Sequence, residues 1–182
     1  MPQRDEHTTV LDKETGHMVI FGGFCQGTRT NEVAIFNIPA NIWTNVKTHR
    51  GDPVPCARSG HSASIYKGQM YIFGGKNDDA EKLDDFWVFN IADQLWTKID
   101  VVNPDMSPAA RSGHSSDVYD SYLVLFGGIF DVTKEMNDLN LYSFEKNEWV
   151  CLQESANSPV KRGNSPGRGP NSLGEGSVNL SN

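Results

Sequence analysis

The sequence predicts an all-β chain made of three copies of one four-stranded sheet, and three observations carry that prediction. Paired glycines recur at Gly22-Gly23, Gly74-Gly75 and Gly127-Gly128, 52 and then 53 residues apart. Tryptophans follow them at Trp43, Trp96 and Trp149, 53 apart both times. The tetrapeptide Arg-Ser-Gly-His occupies Arg58–His61 and Arg111–His114, again 53 apart, and the first unit opens on Arg4-Asp-Glu-His7, with Arg still three residues before His. The stretch from His7 to its glycine pair is two residues longer than in the other units, and Lys13-Glu14-Thr15-Gly16 absorbs the excess as a longer turn. Landmarks in constant order at one period mark a repeat architecture.

The second unit shows the elements most clearly. His61-Ser-Ala-Ser-Ile-Tyr66 is small and β-tolerant, and Lys67-Gly68-Gln69 carries a hairpin turn signal. Met70-Tyr-Ile-Phe73 is a continuous apolar run of strand length, as expected of a strand buried on both faces. The glycine pair stops it. A polar loop from Lys76 to Lys82 leads to Phe86-Trp-Val-Phe89, then a turn at Asn90–Asp93, then Leu95-Trp-Thr-Lys-Ile99. Unit one matches with Val19–Phe21, Ala34–Phe36 and Ile42-Trp43, and unit three with Leu123–Phe126, Leu139–Tyr142 and Trp149-Val150. No window sustains a helical period of 3.6 residues.

A lone sheet of this kind exposes two apolar faces and two unpaired edges, so it gains stability by stacking on copies of itself; radial stacking gives a β-propeller. The glycines permit positive φ and close backbone approach near a neighbouring sheet. Each Trp fills the wedge between blades, against the glycine-rich end of its own or the adjacent sheet. The order of apolar run, Gly-Gly, loop, aromatic strand and a late Trp resembles the kelch repeat, over residues 4–153. Arg-Ser-Gly-His and Asn137-Asp138-Leu139 look like the subset found in intracellular kelch scaffolds. The resemblance implies a kelch-type propeller with repeats at about 4–50, 51–103 and 104–153, followed by a disordered Ser/Gly/Pro/Asn-rich tail at 154–182. Closed propellers typically carry about four to eight blades. Three blades followed by such a tail are expected to form a truncated or partial propeller, with homo-association through open blade edges as the alternative.

Charge narrows the partners. The net charge is −7; residues 154–182 contribute three cations and two anions, net +1, so residues 1–153 carry −8. That balance argues against nucleic acid and anionic membranes, which require clustered Lys and Arg. Cys25, Cys56 and Cys151 are odd in number and far apart, without a Cys-x-x-Cys pair, so neither a disulfide framework nor a zinc cluster is expected. The amino terminus has no signal-peptide core, and no apolar run is long enough to cross a bilayer. A soluble, intracellular (cytoplasmic) chain is expected.

Each candidate site has a plainer role beside it. His7, His61 and His114 could ligand a metal at a central channel, but recurrence beside a constant Arg points to structural rings bonded to the neighbouring sheet. Arg4, Arg58 and Arg111 could form a ring that grips carboxylates; one Arg per unit more often pairs with an acid or carbonyl of the adjacent blade. The acidic stretch Asn77–Asp85 has no internal glycine and no EF-hand spacing, which favours a solvated loop over a calcium site. As a partner-binding surface it has more weight, because specificity in such scaffolds lies in loops. The candidate contact residues are Arg29, Asp78, Asp79, Glu81, Asp84, Asp131, Lys134 and Glu135. Among proteins with this resemblance, an iron-dependent group carries Glu-x-x-x-Asp-x-x-x-His; here Glu81 and Asp85 fit, but Phe89 replaces the His. No Ser–His–Asp, P-loop or Cys–His constellation stands out. The expectation is therefore a non-catalytic protein-interaction scaffold without metal or cofactor, possible as a substrate adaptor or a trafficking or cytoskeletal effector. The alternative is a metal-dependent enzyme, an oxidase or specifier, on the same propeller. In the tail, Ser158-Pro159 and Ser165-Pro166 are weak phosphorylation signals, and Asn179-Leu-Ser181 is a sequon unused without secretion.

Overall fold

Each repeat folds into one antiparallel sheet in which strands follow one another from the centre outwards. The structure is a computed structural model that describes residues 3–49 and 51–154. Residues 155–182 of the predicted tail lie outside the described residues. Sheet one has the order β1 (Thr8–Asp12), β2 (His17–Phe21), β5 (Val33–Asn37) and β6 (Ile42–Asn45). Between β2 and β5 a small hairpin is formed by β3 (Phe24–Cys25) and β4 (Thr28–Arg29). Sheet two is β7 (Ser62–Tyr66), β8 (Gln69–Phe73), β9 (Phe86–Asn90) and β10 (Leu95–Lys98). Sheet three is β11 (Ser115–Tyr119), β12 (Tyr122–Phe126), β15 (Leu139–Ser143) and β16 (Glu148–Gln153), with a second small hairpin of β13 (Ile129–Asp131) and β14 (Lys134–Glu135). These two hairpins were not expected from the sequence, which reads as polar loop there. Among the described residues the helical content is one 3-10 turn, Pro104–Met106.

The turn chemistry fixes the register. Lys67 and Gly68 both adopt positive φ (48° and 70°), the mirror-image turn whose twist suits a two-residue hairpin. Tyr66 consequently faces Gln69, and every second residue of β8 points the same way. Met70 and Ile72 enter a core shared with sheet one, whereas Tyr71 and Phe73 pack in a core shared with sheet three. The central strand is apolar on both faces because each face meets a different neighbour.

The first strands of successive sheets lie against each other, β1 beside β7 and β7 beside β11. They carry small side chains where they converge, and Ser64 Oγ sits 2.8 Å from Ser116 Oγ across that contact.

The joint between sheets repeats. Trp96 packs edge-on against Phe21 of the preceding sheet, with ring centroids 4.8 Å apart, and Trp149 meets Phe73 at 5.6 Å. The tryptophan therefore reaches the adjacent sheet, at the residue just before its glycine pair. His61 and His114 stand edge-on to the same two phenylalanines, at 5.1 and 5.7 Å. Main-chain bonds close the joint: Gly23 N–H donates to Arg58 O (2.9 Å), and Gly75 N–H to Arg111 O (2.8 Å). Gly74 must be glycine for two reasons. Its φ is +64°, and a Cβ there would lie 2.8 Å from Arg111 O.

Trp43 has no such phenylalanine. It leans on Phe36 of its own sheet and is 44% exposed, against 1% for Trp149. Trp149→Ala is therefore expected to lower stability by about 3 kcal/mol, the scale of a large cavity between sheets. Trp43→Ala should cost less than about 1 kcal/mol. Urea unfolding of the two variants checks the contrast, and equal losses would contradict this packing.

Candidate functional site

Three sets of residues recur at each repeat: arginines, histidines and the loops after the glycine pairs. The arginines are spent on the fold. Arg58 is fully buried; its Nη1 and Nη2 donate to Asp85 Oδ1 and Oδ2 at 2.6 and 2.8 Å, and Nη1 also reaches Gly74 O. Arg111 grips Asp138 in the same fork at 2.8 and 2.7 Å and donates to Gly127 O. In the first unit Arg4 takes Glu32 at 2.8 Å and Gly22 O. Each acid belongs to the arginine's own sheet, not to the adjacent blade as the sequence reading had it. Burial by itself would raise the Asp138 pKa, but hydrogen bonds from Arg111 and Asn140 outweigh it and hold the carboxyl below its usual range. Asp85 is lowered likewise, burial being offset by Arg58 and by Trp87, whose Nε1–H donates to it at 2.7 Å.

Two of the three repeat histidines, His61 and His114, are buried as well, whereas His7 is exposed. His61 Nε2 lies 2.6 Å from Thr8 Oγ1 of sheet one, so its partner is a side chain of the neighbouring sheet where a backbone group was expected. Burial, followed by the Arg58 charge, pushes its pKa down to about 3; burial and Arg111 do the same to His114. Among the described residues no group of three or more His, Cys, Asp or Glu side chains is placed to hold a metal ion. The Glu81–Asp85–Phe89 series is divided among separate tasks. Glu81 accepts from Asn77 within its own turn, Asp85 serves Arg58, and Phe89 is in the core.

The loops that follow the glycine pairs all emerge at one end of the sheets, and there residues from different repeats meet. Arg29 N–H donates to Asp78 Oδ1 (2.9 Å), with the guanidinium 3.7 Å from the same oxygen. Arg29 Nε–H donates to Ser59 Oγ (3.0 Å), and the Ser59 hydroxyl donates to Glu6 Oε2 (2.6 Å). Lys76 Nζ stands 3.4 Å from Glu6. Hydrogen bonding from Ser59, then the Lys76 charge, holds the Glu6 carboxyl below its usual range against a modest burial penalty. Burial and the Lys76 and Arg29 charges lower the Lys82 pKa, while Glu6 and Asp131 act the other way. The result is a mixed-charge surface that joins the loops of the first two repeats and faces the third.

Of the residues singled out from sequence, Arg29 and Asp78 are brought together. Asp79 and Glu81 stay exposed on the same loop. Asp131 and Lys134 face each other across the β13–β14 hairpin, with Glu135 exposed beside them. Asp84 does not join this set: it lines a groove between sheets two and three with Lys98 and Pro104.

Sequence reasoning missed Glu6, Ser59, Lys76 and Lys82. Ser59 carried a signal, being the second residue of a tetrapeptide that is otherwise consumed by structure. Glu6 carried another. It stands where the later repeats have Gly60 and Gly113, and it keeps their positive φ (50° against 63° and 69°). A non-glycine residue in that region costs about 1–2 kcal/mol, and here its carboxylate links two repeats.

A chain of four-stranded sheets joined through Trp, His and Gly, with all its variable loops at one end, defines a propeller-type repeat protein. The family model described as the KLHDC2/KLHL20/DRC7 Kelch-repeats domain matches residues 1–165, and the chain belongs to the kelch-repeat family. It is 31% identical over 172 residues to Kelch domain-containing protein 3 of Bos taurus, covering 86% of this chain and 43% of that protein. It is 32% identical over 157 residues to the Rho GTPase-activating protein gacHH of Dictyostelium discoideum, covering 84% of this chain and 10% of that protein. Acyl-CoA-binding domain-containing protein 4 of Arabidopsis thaliana is 27% identical over 170 residues, covering 88% of this chain and 25% of that protein. The chain thus spans less than half the length of these relatives. Among the described residues no helix is long and apolar enough to cross a membrane.

Proposed function

We propose that the chain is a non-catalytic, intracellular protein-interaction platform whose loop end is the docking face for a protein partner. The observation that carries this reading is the Glu6–Ser59–Arg29–Asp78 network. It locks loops of successive repeats into one surface and leaves charged side chains such as Asp79, Glu81, Asp131 and Lys134 exposed to a partner. A surface held by cross-repeat hydrogen bonds loses little loop entropy on docking, which favours affinity. Arg58, Arg111, His61 and His114 support the same reading, since they are buried and their polar groups serve the fold. The residue sets divide accordingly: Gly22, Gly23, Gly74, Gly75, Gly127 and Gly128 with the arginines, histidines and tryptophans build the repeats, and the loop charges select the partner. In a cell such a platform serves as a substrate adaptor or as a trafficking or cytoskeletal effector.

The test compares proteins captured from cells by the wild-type chain, by Arg29→Ala/Asp78→Ala on the loop face, and by Lys13→Ala/Glu14→Ala at the opposite end. Asp78, Lys13 and Glu14 are exposed, where substitutions shift stability by only about 0.5 kcal/mol. The Arg29 side chain is only 13% exposed, so wild-type circular dichroism of the loop-face variant is required as well. At least one partner should be recovered equally by the wild type and the opposite-end variant and fall about tenfold with the loop-face variant. Equal recovery by all three would sink the proposal.

A further inference from the structure

The two joints between sheets are filled differently at the end opposite the loops. Between sheets two and three, the Tyr66 ring stacks on Phe144 with centroids 3.9 Å apart, and Tyr71 meets the same Phe144 edge-on at 4.8 Å. Strand register gives the counterparts of these rings between sheets one and two. Tyr66 ends β7 opposite Gln69 as Asp12 ends β1 opposite His17, so Asp12 stands in the place of Tyr66. Val19 likewise replaces Tyr71, and Ile91, which follows β9, replaces Phe144, which follows β15. Three rings give way to a carboxylate and two aliphatic side chains.

The space beside them is a cleft of about 460 Å³, inside the usual range of small-molecule sites. Ile35 and Ile91, each 6% exposed, belong to its apolar lining, with Asn37, Lys67 and Gln94 as polar lining. Both walls come from sheets that already pack on each other within this chain.

Asp12 is the group in this cleft that lacks a countercharge. It is 7% exposed, yet no Lys, Arg or His among the described residues lies within ion-pair distance of it, whereas Asp138, 4% exposed, has Arg111. Lys67 also lines the cleft, but its Nζ is held over the Tyr66 ring, 5.0 Å from the centre. The Glu14 N–H donates to Asp12 Oδ1 (3.1 Å) and the Thr15 hydroxyl to Oδ2 (2.6 Å), which leaves each oxygen room for a further donor. A carboxylate so far out of water is best satisfied by a cation that also hydrogen-bonds to it.

We propose that this cleft binds a small aromatic amine, with its ring over Ile35 and Ile91 and its ammonium on Asp12. The ring supplies what the second joint obtains from Tyr66, Tyr71 and Phe144, and the ammonium supplies the missing countercharge. The cleft lies at the opposite end of the sheets from Arg29 and Asp78, so this inference stands apart from the loop-face reading and can fail without it.

Titration of the isotope-labelled full-length chain with phenethylamine, followed by amide chemical shifts, tests it. Shifts should centre on Asp12, Gly68 and Ala92 of the cleft, with a Kd of about 1 mM, the strength expected of so small a ligand. Phenethyl alcohol, which has no charge, and butylamine, which has no ring, should each bind about tenfold more weakly. Asp12→Asn keeps an oxygen for the Glu14 N–H and should also weaken phenethylamine about tenfold. Ile91→Phe, which installs the second joint's ring, should abolish binding; both variants should keep wild-type circular dichroism. Should either variant fail to fold, the two analogues still decide the question. No shifts up to about 20 mM, shifts centred away from the cleft, equal binding of either analogue, or undiminished binding by a folded variant would each overturn the proposal.

Discussion

Arg111→Ala should lower the unfolding free energy by about 4 kcal/mol, because it strands a buried carboxylate. Breaking one side of a buried ion pair costs about 3–5 kcal/mol, most of it the penalty of an unpaired charge. The site meets that condition: Arg111 is fully buried and Asp138 is 4% exposed. The loss is wider than one pair, since Gly127 O and Ala109 O also lose their donor. Arg58→Ala should cost less, because the Asp85 side chain is 22% exposed and water can solvate it. Urea unfolding with an unchanged m-value is the measurement. A loss below about 1 kcal/mol for Arg111→Ala would show that Asp138 does not depend on it.

Acid should destabilise this protein well above the carboxylate range, by about 5 kcal/mol between pH 7 and pH 4.5. The folded chain keeps His61 and His114 neutral down to about pH 3, whereas the unfolded chain protonates both near pH 6.5. Their stabilising contribution is therefore complete above about pH 6.5 and is lost as pH falls. Each imidazole accounts for about 1.4 kcal/mol per pH unit until its folded value is reached. Arg58, His114, His7 and Asp85 act on His61 by charge, and Arg111 and Asp138 on His114. Asp85 and Asp138, whose folded pKa values are depressed, contribute stability that is present above about pH 4 and is lost only below it. The two effects separate on the pH axis. A double His61→Gln/His114→Gln variant should flatten the decline between pH 6.5 and 4.5, whatever its stability at pH 7. An unaltered slope would place the proton uptake elsewhere.

Much of this architecture was legible because repetition turns weak local signals into a strong one. The 53-residue spacing of Trp43, Trp96 and Trp149 announced the sheets, and the apolar run before each glycine pair marked the strand covered on both faces. What stayed hidden depended on contacts between distant residues. Nothing in the sequence pairs Arg58 with Asp85, 27 positions on, and Asp85 read as one more acid of the Asn77–Asp85 loop. Nor does the sequence distinguish Trp43 from Trp149: the residues are identical, and only the presence of a phenylalanine from a preceding sheet separates an exposed ring from a buried one. The candidate site was half visible. Arg29 and Asp78 stood out by charge, but the hydroxyl and carboxylate that organise them, Ser59 and Glu6, lay inside a motif that looked wholly structural.

The Phe–Trp joint also says how such a chain can change over generations. Its partners are Phe21 with Trp96 and Phe73 with Trp149, in consecutive repeats, so each functional pairing straddles the boundary that the 53-residue period draws. Gaining or losing one whole period leaves every remaining junction with the same Phe, Trp, His and Gly, and inheritance can add or delete units without inventing a new interface. An insertion of half a period sets Trp where Phe is needed and spoils two junctions at once. Selection therefore acts on seams between neighbours, and residues about 75 positions apart should drift together, while within one repeat the exposed positions of the loop after Gly-Gly are freer to vary.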